Sequence, residues 1–303
     1  MKLTPICITA KINPDLDGVA CALGYADLLN KQHVRAQACI FGTPQSEVQY
    51  FIKNHAIAIQ TFDSSAPAQW HKFILVDASS MRGMPHVVQA NLVQEIVDHR
   101  VGEPEKEFPH AKIQNELVGA AATLIVERFM QANILPDYNN AKLLYGAIFH
   151  NSLNFITSNT TERDKLAVQF LERNFDLNQA LIDEMFQYAS QEILRDLYGS
   201  VVSDAKQFGE FNFYQLVMSD VDYKSLEKEL SKIVVNEDIK HPCAWSMVNI
   251  VDVNKKVSYL FVPSTMGQEI LTRGLGCTFI DSWAMVPATL RKEIMPKITL
   301  ESR

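Results

Sequence analysis

Cysteine is sparse and unpaired in this sequence. Cys7, Cys21, Cys39, Cys243 and Cys277 are odd in number and widely scattered, with no Cys-x-x-Cys pair. That pattern excludes a disulfide framework and a thiolate zinc site, and it fits a reducing cytosol. Glycine and proline, 12 each in 303 residues, are too few for a collagen-like or low-complexity chain. Apolar runs such as Gly119–Val126 fall far short of the ~20 residues of a membrane-spanning helix. Met1-Lys2-Leu3-Thr4-Pro5 lacks the apolar core of a signal peptide, so a cytoplasmic location without membrane attachment is expected. Basic residues are outnumbered, 28 to 35, and a net charge of −7 argues against a nucleic-acid duplex as partner. Gly-x-Gly-x-x-Gly, Walker and Gly-x-Ser-x-Gly motifs are missing. His33, His55, His71, His86, His110 and His241 stand alone, without zinc-ligand spacing, and read as surface or packing residues.

What is present is an alternation of strand and helix. Pro5–Ala10 reads as a strand, about Leu16 to Asn30 as a helix, Val34–Phe41 as a strand and Glu47–Asn54 as a helix. Phe73–Val76 and the run around Ile96-Val97 are continuous apolar segments ending in carboxylates, as buried parallel strands do. From Gly119 the pattern is helical: Gly119–Ala132, Asn140–Phe149, Thr161–Asn174, Asn178–Tyr188 and Glu192–Leu197. Strands return at Phe211–Met218, Ala244–Val253 and Val257–Val262, with a helix at Tyr223–Val235. The expected architecture is α/β in two domains: a doubly wound N-terminal domain with a mostly parallel sheet, and a smaller C-terminal domain with a mixed sheet. The boundaries read as residues 1–189, a linker at 190–196, and residues 197–303.

Chemistry concentrates at the strand ends. Asn13-Pro14-Asp15-Leu16-Asp17 follows the first strand, Asp77 closes the strand Phe73–Val76, and Asp98-His99-Arg100 closes the next. Ligands of open α/β sheets bind beyond the carboxyl ends of the strands, and clustered carboxylates suit hard divalent cations. Asp15 and Asp17 on their own read first as a helix cap and a first-turn acid. Three strands delivering acids to one edge favour a metal site.

These residues resemble motifs I to III of the DHH phosphoesterase superfamily, and within it the manganese-dependent (family II) inorganic pyrophosphatases. Glu116 to Thr123 resembles the family's "EPVGCTAT" segment, and Leu144–Phe155 its fourth motif, "SAIISDTLLF". Asp204-Ala205-Lys206-Gln207-Phe208 resembles "DLKEF", and Thr289-Leu290-Arg291-Lys292-Glu293 the "SRKKQ" phosphate clamp. The resemblance covers nearly the whole chain, in order.

It implies a DHH domain that holds divalent metals and a C-terminal domain that closes over the cleft and grips phosphate. Asp15, Asp17, Asp77 and His99 stand at its metal positions, with Asn151 where a fourth-motif Asp is expected. Asp77, Asp98, His99 and Arg100 would carry the catalysis. Lys206, Arg291 and Lys292 would bind phosphate, joined here by Lys11 and Arg100. The implied cofactor is Mn2+ or Mg2+, as one ion or two, and the substrate a small phosphorylated molecule such as pyrophosphate or short polyphosphate. A homodimer is a further expectation by analogy.

The departures fall inside the site. Lys11 stands where the family has a His, Ala78 where motif II continues with His, Arg100 at the second His of the triplet, and Asn151 at an Asp. Leu290 replaces the clamp's first Arg. A protonated Lys cannot ligate a cation, so Lys11 is expected to pair with Asp15 or to meet a substrate phosphate. Two alternatives therefore stand beside the phosphoanhydride hydrolase: a catalytically impaired protein that binds a phosphorylated ligand or partner, and a phosphodiesterase acting on a nucleotide.

Overall fold

The computed structural model describes residues 4–63 and 70–299. These form two compact units, Met1–Met185 and Phe186–Arg303.

The first unit is built in the order β1 (Ile6–Thr9), α1 (Leu16–Lys31), β2 (Ala36–Ala38), β3 (Ile40–Phe41), α2 (Ser46–His55), β4 (Thr61–Phe62), β5 (Phe73–Val76), β6 (Val93–Asp98), β7 (Lys112–Asn115), α3 (Ala121–Ala132), α4 (Tyr138–Asn151) and α5 (Glu162–Asn174). Its main sheet has the order β2-β1-β5-β6-β7 and every pairing is parallel. All five strands therefore end on one edge, and β1, β5 and β6 are neighbours there. Ile74, Leu75 and Val76 are buried, as both faces of a parallel sheet require. On one face Cys7, Phe73, Leu75 and Ile96 pack with Trp70, Met84, Val87 and Phe108. On the other, α1 contacts β1, β2 and β5, and packs against α3 and α4.

The expected strand Val34–Phe41 is two strands. β2 joins the main sheet beside β1, while β3 pairs with β4 in a separate two-stranded ribbon. The polar strand β7 was not anticipated; its Lys-Ile-Gln-Asn sequence is that of an edge, paired on one side only.

Helix α6 (Gln179–Arg195) runs unbroken where two helices were expected, and the division between the units falls inside it. Within it the Ser190 hydroxyl donates back to Phe186 O at 2.7 Å, which satisfies the buried hydroxyl inside the helix. The second unit continues with α7 (Leu197–Ser203), β8 (Lys206–Phe208), β9 (Phe211–Met218), α8 (Glu227–Lys240), β10 (Trp245–Asp252), β11 (Val257–Phe261), α9 (Thr265–Leu275), β12 (Phe279–Ile280), β13 (Trp283–Pro287) and α10 (Arg291–Thr299). The helix expected at Tyr223–Val235 is a short 3-10 turn, Tyr223–Leu226, leading into α8. The sheet order is β12-β13-β11-β10-β9-β8, with β9 and β10 parallel and the remaining pairs antiparallel. Side chains of β9 alternate between two cores. Tyr214, Leu216 and Met218 face α7 and α8, while Phe211 and Phe213 lie with residues of α9 and α10.

Candidate functional site

Asp15 sits at the N-cap of α1 with extended backbone, and its Oδ1 accepts from Gly18 N at 3.0 Å. Leu16 N donates to the buried Glu47 at 3.2 Å. Two of the leading amides, Leu16 N and Gly18 N, are thus satisfied without the Asp17 carboxylate. Gly18 lets the helix start close to β1, since a Cβ there would lie 2.8 Å from the Ala10 Cβ.

Asp17, 1% exposed, turns instead to another helix. Its two oxygens accept from Ala121 N and Ala122 N, both at 2.8 Å. The N-cap residue of α3 is Ala120, which has no side-chain acceptor, so a carboxylate 104 residues away in sequence does the capping.

Asp77 follows β5 in the left-handed region, φ 49°, a conformation that Asp and Asn tolerate better than most side chains. Its backbone N donates to Val97 O at 2.9 Å, which holds the turn against β6. Its Oδ1 is buried and ion-paired with Arg100 Nη2 at 2.7 Å, with His99 Nε2 3.5 Å away. The imidazole of His99 is fixed from behind, Nδ1 to Val118 O at 3.0 Å, so that Nε2 faces Asp77 and Asp17, the latter at 3.7 Å. Asp17, Asp77 and His99 each offer a ligand atom, and these atoms lie within 4.8 Å of one another.

Around this triad the remaining expected residues take distinct places. Asp98 Oδ1 accepts from His99 N at 2.8 Å and meets Arg100 Nη1 at 3.3 Å, so it anchors the turn and the guanidinium. Arg100 also donates from Nη1 to the Asp77 carbonyl. Asn151 donates its side-chain amide to Asp17 Oδ2 at 2.9 Å, and the same nitrogen lies 3.1 Å from Gly119 O. Lys11 does not pair with Asp15: its aliphatic stem lies beside Gly83, and among the described residues its ammonium has no hydrogen bond or ion pair. Ala78 is wholly buried in the apolar cluster under the sheet, a place for a methyl and not for an imidazole.

Burial dominates the electrostatics. It pushes Asp17 up to about 7 from an ordinary 3.8, with the Asp77 charge adding to the rise. Asp77 is raised by burial too, against the pull of His99 and Arg100. Burial alone would lower His99, but contact with Asp77 and the Asp17 charge prevail and bring it to about 9. Two hard carboxylates and one oriented imidazole nitrogen suit a cation such as Mn2+ or Mg2+.

Several supporting groups gave no sequence signal, among them the amides of Ala121 and Ala122 and the carbonyl of Val118. Asp164 is another. It is fully buried, accepts from Gly119 N with both oxygens at 3.0 Å, and takes bonds from Thr123 and Thr161. Thr161 and Asp164 form a capping box at the start of α5, and that spacing is the cue the sequence did carry.

In the second unit Lys206 opens β8 opposite Phe213, and the Arg291 guanidinium lies over the same ring at 5.0 Å. Arg291 is 9% exposed, donates to the Asp204 side chain and, at 3.0 Å, to the Asp204 carbonyl; its Nε is buried without a hydrogen bond. Lys292 follows it, exposed, on the first turn of α10.

Residues 5–148 match the DHH family, N-terminal domain. The match lies within the first unit, which resembles that family's N-terminal domain. A "Probable manganese-dependent inorganic pyrophosphatase" of Deinococcus radiodurans is 28% identical over 167 residues, 55% of this chain and 52% of that protein. One of the same name from Clostridium acetobutylicum is 22% identical over 97% of both chains. Among solved structures, the protein described as "Methanococcus jannaschii putative family II inorganic pyrophosphatase" superposes with a TM-score of 0.64, covering 96% of this chain and 99% of its own at 17% identity. That likeness is one of fold and spans residues of both units. Among the described residues no helix is long and apolar enough to cross a membrane.

Proposed function

We propose that this protein is a divalent-metal-dependent hydrolase of a phosphoanhydride, pyrophosphate or short polyphosphate. The convergence of Asp17, Asp77 and His99 at the carboxyl edge of a parallel sheet carries the reading. The full-length relatives named as manganese-dependent inorganic pyrophosphatases support the substrate class and the metal.

Asp17, Asp77 and His99 would hold the metal. When bound, a divalent ion supplies Lewis-acid polarisation of a phosphoryl oxygen and a water of lowered pKa. The protein's own contribution is positioning. Val118 O holds Nδ1 and so turns Nε2 toward Asp17 and Asp77, where the Asn151 amide nitrogen also meets it at 3.3 Å. Ala121 N, Ala122 N and Asn151 hold the Asp17 carboxylate in one orientation. Arg100, 38% exposed at its side chain, presents a permanent positive charge to an anionic substrate. Lys206, Arg291 and Lys292 are the candidate phosphate contacts of the second unit.

The test is phosphate release from pyrophosphate, tripolyphosphate, long polyphosphate and a dinucleotide, with Mn2+, Mg2+ or Co2+ supplied. Asp77→Asn is the control, because Asn accepts the left-handed backbone at this position. Expected are metal-dependent turnover of a phosphoanhydride and a loss of at least about 100-fold in Asp77→Asn. Turnover of the dinucleotide alone would move the substrate class to phosphodiesters. No turnover with any ion would leave the impaired, ligand-binding reading, which Asn151 favours by presenting an N–H where a fourth-motif carboxylate is expected.

A further inference from the structure

We infer that the site is built for a single divalent ion, the Arg100 guanidinium standing as a fixed internal cation where a second ion would otherwise balance the acids. This rests on the metal-dependent reading above and concerns how many ions the residues can hold.

Donor supply sets the first limit. Among the described residues Asp17, Asp77 and His99 are the one group of three side chains whose ligand atoms converge. Of the other nearby acids, Asp15 and Asp98 each have one oxygen engaged, and the buried Asp98 Oδ2, without a hydrogen bond, lies outside that group. Asp15 caps Gly18 N, and Asp98 Oδ1 takes the His99 amide and Arg100. Asn151 adds no acceptor. Its nitrogen lies 2.9 Å from Asp17 Oδ2 and 3.1 Å from Gly119 O, so reversing the amide would set oxygen against two acceptors.

Charge sets the second. Arg100 is locked by three contacts: Nη2 at 2.7 Å from Asp77 Oδ1, Nη1 on the Asp77 carbonyl, and Nη1 at 3.3 Å from Asp98 Oδ1. An imidazole at this position could lend a lone pair to a metal. A guanidinium has none to lend, remains charged at any working pH, and repels a second cation from the Asp77 side. Lys11, the other basic residue of the motifs, does not take this part, because its ammonium reaches neither Asp15 nor Asp77.

The experiment loads the chelator-stripped full-length protein with Mn2+. It then measures manganese per chain by elemental analysis and records the Mn2+ electron paramagnetic resonance spectrum. Expected are one equivalent and the resolved hyperfine pattern of an isolated ion, becoming two equivalents with a spin-coupled spectrum in Arg100→His. Arg100→Gln removes the charge without adding a ligand and serves if the His variant fails to fold; it should weaken the exclusion and show binding above one equivalent at high Mn2+. Two equivalents in the wild-type protein would overturn the inference and leave the hydrolase reading standing. No bound manganese would overturn both. One equivalent in wild type and in every folded Arg100 variant would remove Arg100 from the explanation and overturn the assignment.

Discussion

Asn151 and Asp17 meet amide nitrogen to carboxylate oxygen at 2.9 Å, so the residue expected as a ligand is a donor to Asp17, itself a proposed ligand. Converting it to an acid reverses that relation. In Asn151→Asp a second carboxylate would face Asp17 and the Gly119 carbonyl, at a cost of about 1–3 kcal/mol without a cation. Thermal melts in chelator should drop accordingly and recover beyond wild type on adding Mn2+. An unchanged melt in chelator would contradict the contact.

Ion affinity should climb with pH. His99, at about 9, and Asp17, at about 7, both hold protons that a cation must displace. Between about pH 7 and 9 one proton leaves per ion bound, an increase of about tenfold per pH unit, and below about 7 the slope should steepen. Without an ion the sign is the same for both groups, since each folded-state value is raised. The His99 contribution to stability is full below its ordinary 6.5 and lost as pH rises through about 9. That of Asp17 is full below 3.8 and lost through about 7. Calorimetric titrations with Mg2+ across this range, beside melts in chelator, measure both slopes.

Asp164 is a structural prediction. Its carboxylate is the acceptor that pins Gly119 to the start of α5, and the side-chain amide of an Asn cannot satisfy the same set of donors. Asp164→Asn should cost about 2–3 kcal/mol. For a unit of this size that is a fall of about 5–10 °C in melting temperature. Manganese affinity should fall with it, because Gly119 O is one of the two acceptors that orient Asn151.

In the second unit Asp204 neutralises Arg291. Asp204→Asn should lower stability by only about 1 kcal/mol, the carboxylate being partly exposed and screened. It should also tighten inorganic phosphate binding several-fold, as the guanidinium loses its internal counter-charge. Phosphate titration by calorimetry decides, and equal or weaker binding would show that Arg291 does not meet the anion.

Much of the first unit was legible because its strands are buried on both faces and read as unbroken apolar runs; β5 and β6 are the clear cases. The run from Ala36 to Phe41 misled, because apolar content cannot reveal that the chain changes sheets at Cys39. β7 was invisible for the opposite reason, as an edge strand needs few apolar side chains. At the site, the acids could be read from their positions at strand ends. Their partners could not. Whether Lys11 or Arg100 reaches them depends on turns set by Gly83, Val97 and Gly119, and the backbone amides that hold Asp17 carry no residue-type signal.

The cap that Asp17 provides to α3 ties folding and chemistry to one side chain. A lineage that abandoned hydrolysis would still be selected to keep Asp17, because its loss strands two helical amides in the protein interior. Its presence in a sequence is therefore poor testimony about activity. Asp77, whose carboxylate caps no helix and faces Arg100 and His99, is the informative position: drift there would mark a protein that has given up a metal while keeping its shape.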